Sequence, residues 1–230
     1  MDMISYKLDE QVAVIRLDDG KANAISPAAI AGLHAALDRA ATEAAAVALI
    51  GREKRLSAGF DLSVMTGGVE AMRDLVISGA EMMLRLYTFP LPVVVGCTGH
   101  ALAAGAILLL AADYRVGADG AFKIGLNEVS IQMTLPTFGV ELARDRLAKR
   151  HFTQAITQAR IYDPSAAVEA GYLDETADPS AVAATAIGHA RRLGALPRAA
   201  FHGTKLKERS ATVAAVRAGL HDDIARLTMG

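Results

Sequence analysis

The sequence has little cysteine, almost no net charge and none of the common catalytic motifs. Its 230 residues include one cysteine, Cys97, which excludes an intrachain disulfide and any metal cluster held by several cysteines. Lys and Arg number 24 and Asp and Glu number 25, so the chain offers no general positive field for nucleic acid. An anionic ligand would have to be met by local groups.

Neither a P-loop nor a G-x-S-x-G nucleophile elbow occurs in the sequence. The six histidines show no spacing typical of zinc ligands, so no metal site is predicted. Cys97 follows an apolar run, which favours a buried, inert thiol over a nucleophile.

One segment is long enough to raise the question of a membrane span. Val93 to Ala112 is twenty residues without a formal charge, about the length that crosses a bilayer. It begins with three β-branched residues, has glycines in its middle and resembles a helix only in its second half. Strand, tight loop and buried helix explain that order better than a span. The N-terminus lacks a basic-then-apolar signal pattern, and we expect a cytoplasmic protein.

The residues that are present predict a single α/β core. Hydrophobic residues make up 52% of the chain and charged residues 21%, enough for a sizeable buried core. Strand-like and helix-like segments alternate as far as about residue 136, a pattern typical of a parallel sheet covered by helices. Beyond that point only helices are predicted, so we divide the chain into a core over 1–175 and a helical region over 176–230. The predicted strands are 4–8, 12–17, 47–50, 93–95, 114–116 and 122–124, and the first two are expected to pair as a hairpin. The predicted helices begin at 26, 67, 103, 179 and 210, and the last of them ends at 229.

Two turns rich in small residues are candidate ligand sites. The first runs from Leu56 to Leu62 and the second from Gly99 to Gly105. Small residues where a strand ends let a ligand approach the backbone and leave N–H groups free to donate. Two such turns on neighbouring strands could aim two N–H groups at one oxygen. Either turn alone could equally be a tight loop that serves packing, and the periodicity leaves both interpretations open.

Four ordered segments resemble the crotonase, or enoyl-CoA hydratase/isomerase, family. Ser57 to Leu62 is similar to its S/C-A-G-x-D-L turn, and Asn23 to Ile25 is similar to its N-A-hydrophobic segment. Pro92 to Val116 and Ala166 to Asp174 resemble two further family segments. The resemblance implies a spiral of ββα units with a C-terminal helical region that forms trimers or covers the site. It also implies an acyl-CoA substrate, no separate cofactor, and a homotrimer or a pair of trimers.

The resemblance also implies roles for particular residues. Phe60 and Ala104 would supply the two backbone N–H groups of an oxyanion hole, and further residues would line the thioester and coenzyme A site. Lys205 and Lys207 could reach a neighbouring subunit's nucleotide. The cations at 52, 54 and 55 could meet phosphates, although solvated loop charges explain them better. The substrate-site residues are Ala22, Ala24, Ser57, Ala58, Gly59, Asp61 and Ile107.

Two positions bear on the reaction. Family hydratases carry two glutamates, and here one position is Ile107 while the other is Glu128. An aliphatic side chain cannot hold water, so the resemblance favours the Δ3,Δ2-enoyl-CoA isomerase branch, with Glu128 as the single acid–base group. The alternatives are an enoyl-CoA hydratase, or an acyl-CoA-binding homologue with little catalysis. Glu141 is a candidate second acid, although a first-turn helix role suits it better.

Overall fold

The computed structural model describes residues 3–226. Its strands alternate with helices, and the predicted N-terminal hairpin is confirmed as two antiparallel strands, β1 and β2. The strands are β1 (Ile4–Asp9), β2 (Val12–Leu17), β3 (Ala46–Ile50), β4 (Lys54–Ser57), β5 (Val93–Cys97), β6 (Gly99–Leu102), β7 (Tyr114–Ala118), β8 (Ile124–Gly125) and β9 (Glu175–Ala177). The helices are α1 (Pro27–Glu43), α2 (Leu62–Met65), α3 (Val69–Tyr87), α4 (Ala104–Leu110), α5 (Thr137–Arg146), α6 (Lys149–Ile156), α7 (Pro164–Ala170), α8 (Val182–Gly194) and α9 (Arg198–Arg226), with a 3-10 turn at Val129–Ile131.

A repeated ββα unit contributes strands to two separate sheets. A six-stranded sheet has the order β1-β2-β3-β5-β7-β9, and a three-stranded sheet has the order β4-β6-β8. The successive strand pairs β3–β4, β5–β6 and β7–β8 each give one strand to the first sheet and one to the second. A helical segment then returns the chain. This is the crotonase-type α/β spiral that the resemblance implied.

The inner strands of the six-stranded sheet are buried on both faces. Along β3, Val47 and Leu49 pack into the core beneath α1 and α3, whereas Ala46 and Ala48 pack with α8 on the other face. Parallel sheets covered on both faces read as continuous apolar runs, and all five residues of β3 are buried. The core therefore lies between this sheet and the helices of the spiral.

Local signals place several elements where the sequence predicted them. The Ser26 hydroxyl caps α1 by accepting a hydrogen bond from the N–H of Ala29 at 3.2 Å, and Pro27 occupies the first turn. The uncharged run from 93 to 112 divides into β5, β6 and α4, as predicted from its internal order. Within residues 3–226, no helix combines the length and the apolar composition needed to cross a membrane.

Other elements differ from the prediction. Strands β4 and β6, helices α6 and α7 and the first twelve residues of α9 were not predicted. The predicted strand at 122–124 shares only Ile124 with β8, and the predicted end of the last helix at Met229 lies outside the described residues. A strand also follows residue 136, because β9 pairs with β7. The predicted domain boundary after residue 175 therefore lies within a strand of the main sheet. The assembly role of the helical region stays a prediction.

A buried ionic cluster docks α9 on the core. The carboxylate of Asp113 accepts a hydrogen bond from Lys205 Nζ at 2.7 Å and forms an ion pair with Arg209 Nη2, 2.9 Å away. Arg209 also donates to the carbonyl of Tyr87 at 2.6 Å. Lys205 is thus buried against its own chain, and the hypothesis that it reaches a neighbouring subunit's nucleotide is wrong; Lys207 is exposed.

Candidate active site

The three-stranded sheet brings the two predicted turns and Glu128 to one edge. Ser57 of β4 lies opposite Ala101 of β6, and Ala101 lies opposite Ile124 of β8. All three strands run parallel, so their carboxyl ends meet at the same edge. The segments that leave this edge carry the turn at 58–61, the turn at 103–104 and the segment 126–128. These short strands are the reason that residues far apart in sequence share one site.

Two glycines let the turns touch. A Cβ atom on Gly59 would lie 3.0 Å from the Cβ of Ala103 and 3.5 Å from the nitrogen of Ala104. A Cβ on Gly105 would lie 2.4 Å from the carbonyl oxygen of Ser57, a distance that no side chain tolerates. Gly59 also has φ +106°, a conformation that favours glycine. Both positions therefore require glycine for the close approach of the two backbones.

The N–H of Phe60 is left free by the way its segment pairs with Ile25. Ile25 donates to the carbonyl of Gly59 at 2.8 Å and accepts from the N–H of Asp61 at 3.1 Å. In such a parallel bridge the residues on either side of Phe60 make both hydrogen bonds to Ile25. The N–H of Phe60 itself therefore points away from Ile25. Among residues 3–226 it donates to no backbone acceptor. This N–H is available to a ligand.

The N–H of Ala104 is free for a different reason. Ala104 is the first residue of α4, and first-turn N–H groups have no acceptor within their own helix. The residue before it, Ala103, has φ +49° and ψ −126°, a backbone conformation usually reserved for glycine. Such strain costs about 1–3 kcal/mol and persists only where surrounding structure imposes it. Here the bond from the Ala103 N–H to the carbonyl of Gly125 helps to hold the turn.

Buried polar side chains brace the loop that carries Ala22 and Ala24. Asn23 is fully buried and donates through Nδ2 to the carbonyls of Leu17 at 2.7 Å and Leu56 at 3.1 Å. The Asp19 carboxylate accepts from the backbone N–H groups of residues 21, 23 and 24. Burial alone would raise the pKa of Asp19, but these donors bring it below its ordinary value. The loop is therefore rigid beside the first turn, where the N–H of Ala58 donates to the carbonyl of Ala22.

A cavity of about 440 Å³ lies between these segments. Of the residues proposed from the sequence, Ala22, Ala24, Ala58, Phe60, Asp61, Ala104, Ile107 and Glu128 line it. Ser57 and Gly59 do not line it. The Ser57 hydroxyl instead accepts from the Gly59 N–H at 3.1 Å, so both residues shape the turn from beneath. Leu62 and Ala103, which belong to the two candidate turns, line it too. The remaining lining residues, which the sequence did not suggest, are Met65, Val76, Asn127, Ile131, Met133, Pro136 and Phe138.

Glu128 is a buried carboxyl without a counterion. It is 7% exposed, and its Oε2 atom is buried with no hydrogen-bond partner among the described residues. Because burial disfavours the charged form, it raises the pKa of Glu128 to about 7. At neutral pH the group exists in comparable amounts as acid and as base, which is the condition for moving a proton in both directions.

Asp61 is the other acid that lines the cavity, and its environment is the opposite. Its carboxylate accepts from the hydroxyl of Ser63 at 2.6 Å and from the Ser63 N–H at 2.9 Å, capping α2. The Ser63 hydroxyl lowers the pKa of Asp61 below its ordinary value. Asp61 is therefore a fixed anion, and Glu128 is the carboxyl that exchanges a proton near neutral pH. Glu141 pairs with Arg144 on α5 and does not line the cavity.

Three cations lie near the first turn. Among the described residues, only Arg52 pairs with an acid that is distant in sequence. Arg52 bonds Asp18 at 3.1 Å and donates to the carbonyl of Lys21. Lys54 is exposed and meets only its neighbour Glu53, at 3.7 Å, and Arg55 is exposed too. Lys54 and Arg55 thus stay available to an anion, within the described part of the chain.

Similar proteins share this fold over nearly its full length. A solved enoyl-CoA hydratase/isomerase family protein from Pseudomonas syringae is 42% identical, covers 99% of both chains and superposes with a TM-score of 0.96. A protein from Mycobacterium tuberculosis is named an enoyl-CoA isomerase in one solved structure and a probable enoyl-CoA hydratase in another; it is 39% identical, and the first structure covers 99% of both chains with a TM-score of 0.94.

A curated relative described as a probable enoyl-CoA hydratase, from Bacillus subtilis, is 33% identical over 57% of this chain. The chain spans about half the length of that relative, 52%. The family model described as enoyl-CoA hydratase/isomerase matches residues 7–225. The chain therefore belongs to the enoyl-CoA hydratase/isomerase family.

Proposed function

We propose that this protein is a Δ3,Δ2-enoyl-CoA isomerase that uses Glu128 as its only acid–base group. The observation that carries the proposal is the cavity's pair of carboxyls, of which only Glu128 is buried and has a pKa near neutrality. Isomerisation needs one group that first accepts a proton and then returns it. Relatives of this chain bear both isomerase and hydratase names, so the site has to decide between the two reactions.

In the first step, the Glu128 carboxylate takes a proton from C2 of a 3-enoyl-CoA. Negative charge develops on the thioester oxygen, where the free N–H groups of Phe60 and Ala104 stabilise it. The Glu128 carboxylic acid then returns a proton to C4, and the double bond moves into conjugation with the thioester. Loss of one such N–H donor typically lowers the rate by about 10²–10³. No step uses a metal or a redox cofactor.

Hydration would need a second group that positions water. Ile107, at the position of the family's other glutamate, is 1% exposed and lines the cavity with a hydrocarbon side chain. Behind it, a Cβ on Gly139 would lie 3.0 Å from the Ile107 Cδ1, so α4 and α5 pack closely at this wall. Met65, Val76 and other apolar side chains complete this wall, which suits an acyl chain.

Two features of the site argue against a protein that only binds acyl-CoA. A binding protein gains nothing from holding Ala103 in a strained conformation or from burying an unpaired carboxyl, and each feature costs stability. Both are useful if they hold an oxyanion donor and an acid–base group in place. We further expect a homotrimer or a pair of trimers, with the helical region from α8 onward forming contacts between subunits.

A two-substrate assay tests the proposal. The protein is incubated with a 3-enoyl-CoA and, separately, with a 2-enoyl-CoA, while conjugation and water addition are followed by absorbance. The expected result is rapid conjugation of the first substrate and little hydration of the second. Hydration at a rate equal to or above conjugation would identify a hydratase instead. Tight binding without either reaction would identify an acyl-CoA-binding homologue.

A further inference from the structure

A series of buried polar side chains leads from Glu128 into the layer formed by α6 and α7. It comprises Glu128, Tyr172, Tyr162 and His151. Tyr172 is 0% exposed and Tyr162 is 1% exposed. Their hydroxyls, the Oε2 atom of Glu128 and both ring nitrogens of His151 are buried, and none has a hydrogen-bond partner within residues 3–226.

The rings are close enough to form one continuous series. The ring centroids of Tyr172 and Tyr162 are 5.6 Å apart, and those of Tyr162 and His151 are 5.7 Å apart. The backbone of Tyr162 is fixed to β8 by two hydrogen bonds of 2.9 Å with Ile124, immediately before the segment that carries Glu128.

Tyr172 connects this series to the active-site carboxyl. Burial is the main cause that raises the pKa of its hydroxyl, and the nearby Tyr162 and Glu128 add to the rise. The backbone of Leu126, two residues before Glu128, lowers this pKa, although it lies too far away for a normal hydrogen bond to the hydroxyl. The side chain of Tyr172 is therefore a neighbour of both Glu128 and Tyr162.

Such a set of polar atoms needs partners. A phenylalanine would fill the volume of either tyrosine without burying a hydroxyl, so packing alone gives no reason for two adjacent tyrosines. Buried water commonly satisfies groups of this kind, and each water needs two to four polar partners. We propose that ordered water joins Glu128, Tyr172, Tyr162 and His151 into a proton path between the active-site carboxyl and the α6 surface.

This inference rests on the proposed function, because the path matters when an acyl-CoA fills the cavity and closes that side of Glu128 to bulk water. After Glu128 has taken the C2 proton, it passes a proton to the first water, and each hydroxyl or water passes one onward. His151 accepts a proton on one ring nitrogen and passes one from the other through water to the α6 surface, where this residue is partly exposed. The reverse transfer brings a solvent proton back to Glu128, so no net charge moves.

The path is tested by isomerisation in deuterated water. The wild-type protein should place deuterium at C4 of the conjugated product, because Glu128 exchanges its proton before returning it. Tyr172→Phe should retain isomerisation and lose most of that label. The control is Tyr6→Phe, which removes a tyrosine hydroxyl on β1 at the edge of the other sheet, away from this series, and should keep the label.

Several outcomes would overturn the path. One is isomerisation by the wild-type protein without deuterium at C4. Another is full deuterium labelling at C4 by Tyr172→Phe. If Tyr172→Phe does not fold, Tyr162→Phe replaces it with the same expected loss. If the wild-type protein does not isomerise a 3-enoyl-CoA at all, the proposed function is wrong. A high-resolution crystal structure then tests the water path independently of activity. Ordered water bridging Glu128 Oε2 and the Tyr172 hydroxyl would support it, and dry contact there would refute it.

Discussion

Replacing Glu128 by glutamine should make the protein more stable at alkaline pH while removing its activity. Glu128 titrates at about 7 in the folded protein because of burial, compared with an ordinary value of 4.5. Below pH 4.5 the Glu128 carboxyl is protonated in both the folded and the unfolded protein. Between the two values the unfolded chain releases its proton and the folded chain keeps it, so the stability of the wild-type protein falls as pH rises.

The size of this effect follows from the interval between 4.5 and about 7. Each pH unit of that interval contributes about 1.4 kcal/mol, so the wild-type protein should lose about 3 kcal/mol relative to Glu128→Gln between about pH 4 and about pH 8. Above about 7 the difference becomes constant. Glutamine has nearly the same shape and does not titrate, so it isolates the charge.

Urea unfolding of both proteins over this pH range, at one fixed protein concentration, measures the difference. Glu53→Gln serves as the control, because the side chain of Glu53 is 86% exposed and its replacement should leave the pH profile unchanged. If the stability curves of the wild-type protein and Glu128→Gln run parallel across the range, Glu128 is not held in a desolvated pocket. The reasoning about its role would then be wrong.

Three further results are expected. The rate of isomerisation by the wild-type protein should rise with pH and level off above about 7, because the base form of Glu128 is required; a flat pH–rate profile would contradict this. Ala103→Gly should keep activity and raise stability by about 1 kcal/mol in urea unfolding, because relief of backbone strain exceeds the entropic cost of glycine; a lower stability would show that Ala103 is not strained. Asp113→Asn should lower stability by about 3–5 kcal/mol, because it leaves Lys205 and Arg209 buried without their carboxylate; a change below 1 kcal/mol would show that this cluster does not dock α9.

The elements that could be predicted from the sequence have strong local signals. The β1–β2 hairpin and the start of α1 at Ser26 and Pro27 are examples. Strands β4 and β6 of the three-stranded sheet were missed because they are four residues long, too short for an alternating pattern to be visible. Because that sheet aligns the site, the convergence of Phe60, Ala104 and Glu128 could be expected only from the resemblance.

The apolar wall of the cavity could not be predicted either. Met65 on α2, Val76 on α3 and Phe138 on α5 belong to separate helices, and only tertiary packing brings them together. Lys205 was misjudged because a lysine on a helix is usually solvated, whereas here Asp113 compensates its burial. Asn127 was the missed lining residue with the clearest signal, because it directly precedes Glu128.

The central claim is that Glu128 alone moves the proton at C2, and proton exchange tests it most directly. A saturated acyl-CoA, which cannot isomerise, is incubated in deuterated water, and loss of its C2 protons is followed by NMR. Wild-type protein and Glu141→Gln should exchange these protons. Glu128→Gln should bind the same ligand, as measured by calorimetry, without exchanging them. Undiminished exchange in Glu128→Gln would contradict the account and show that another group is the base.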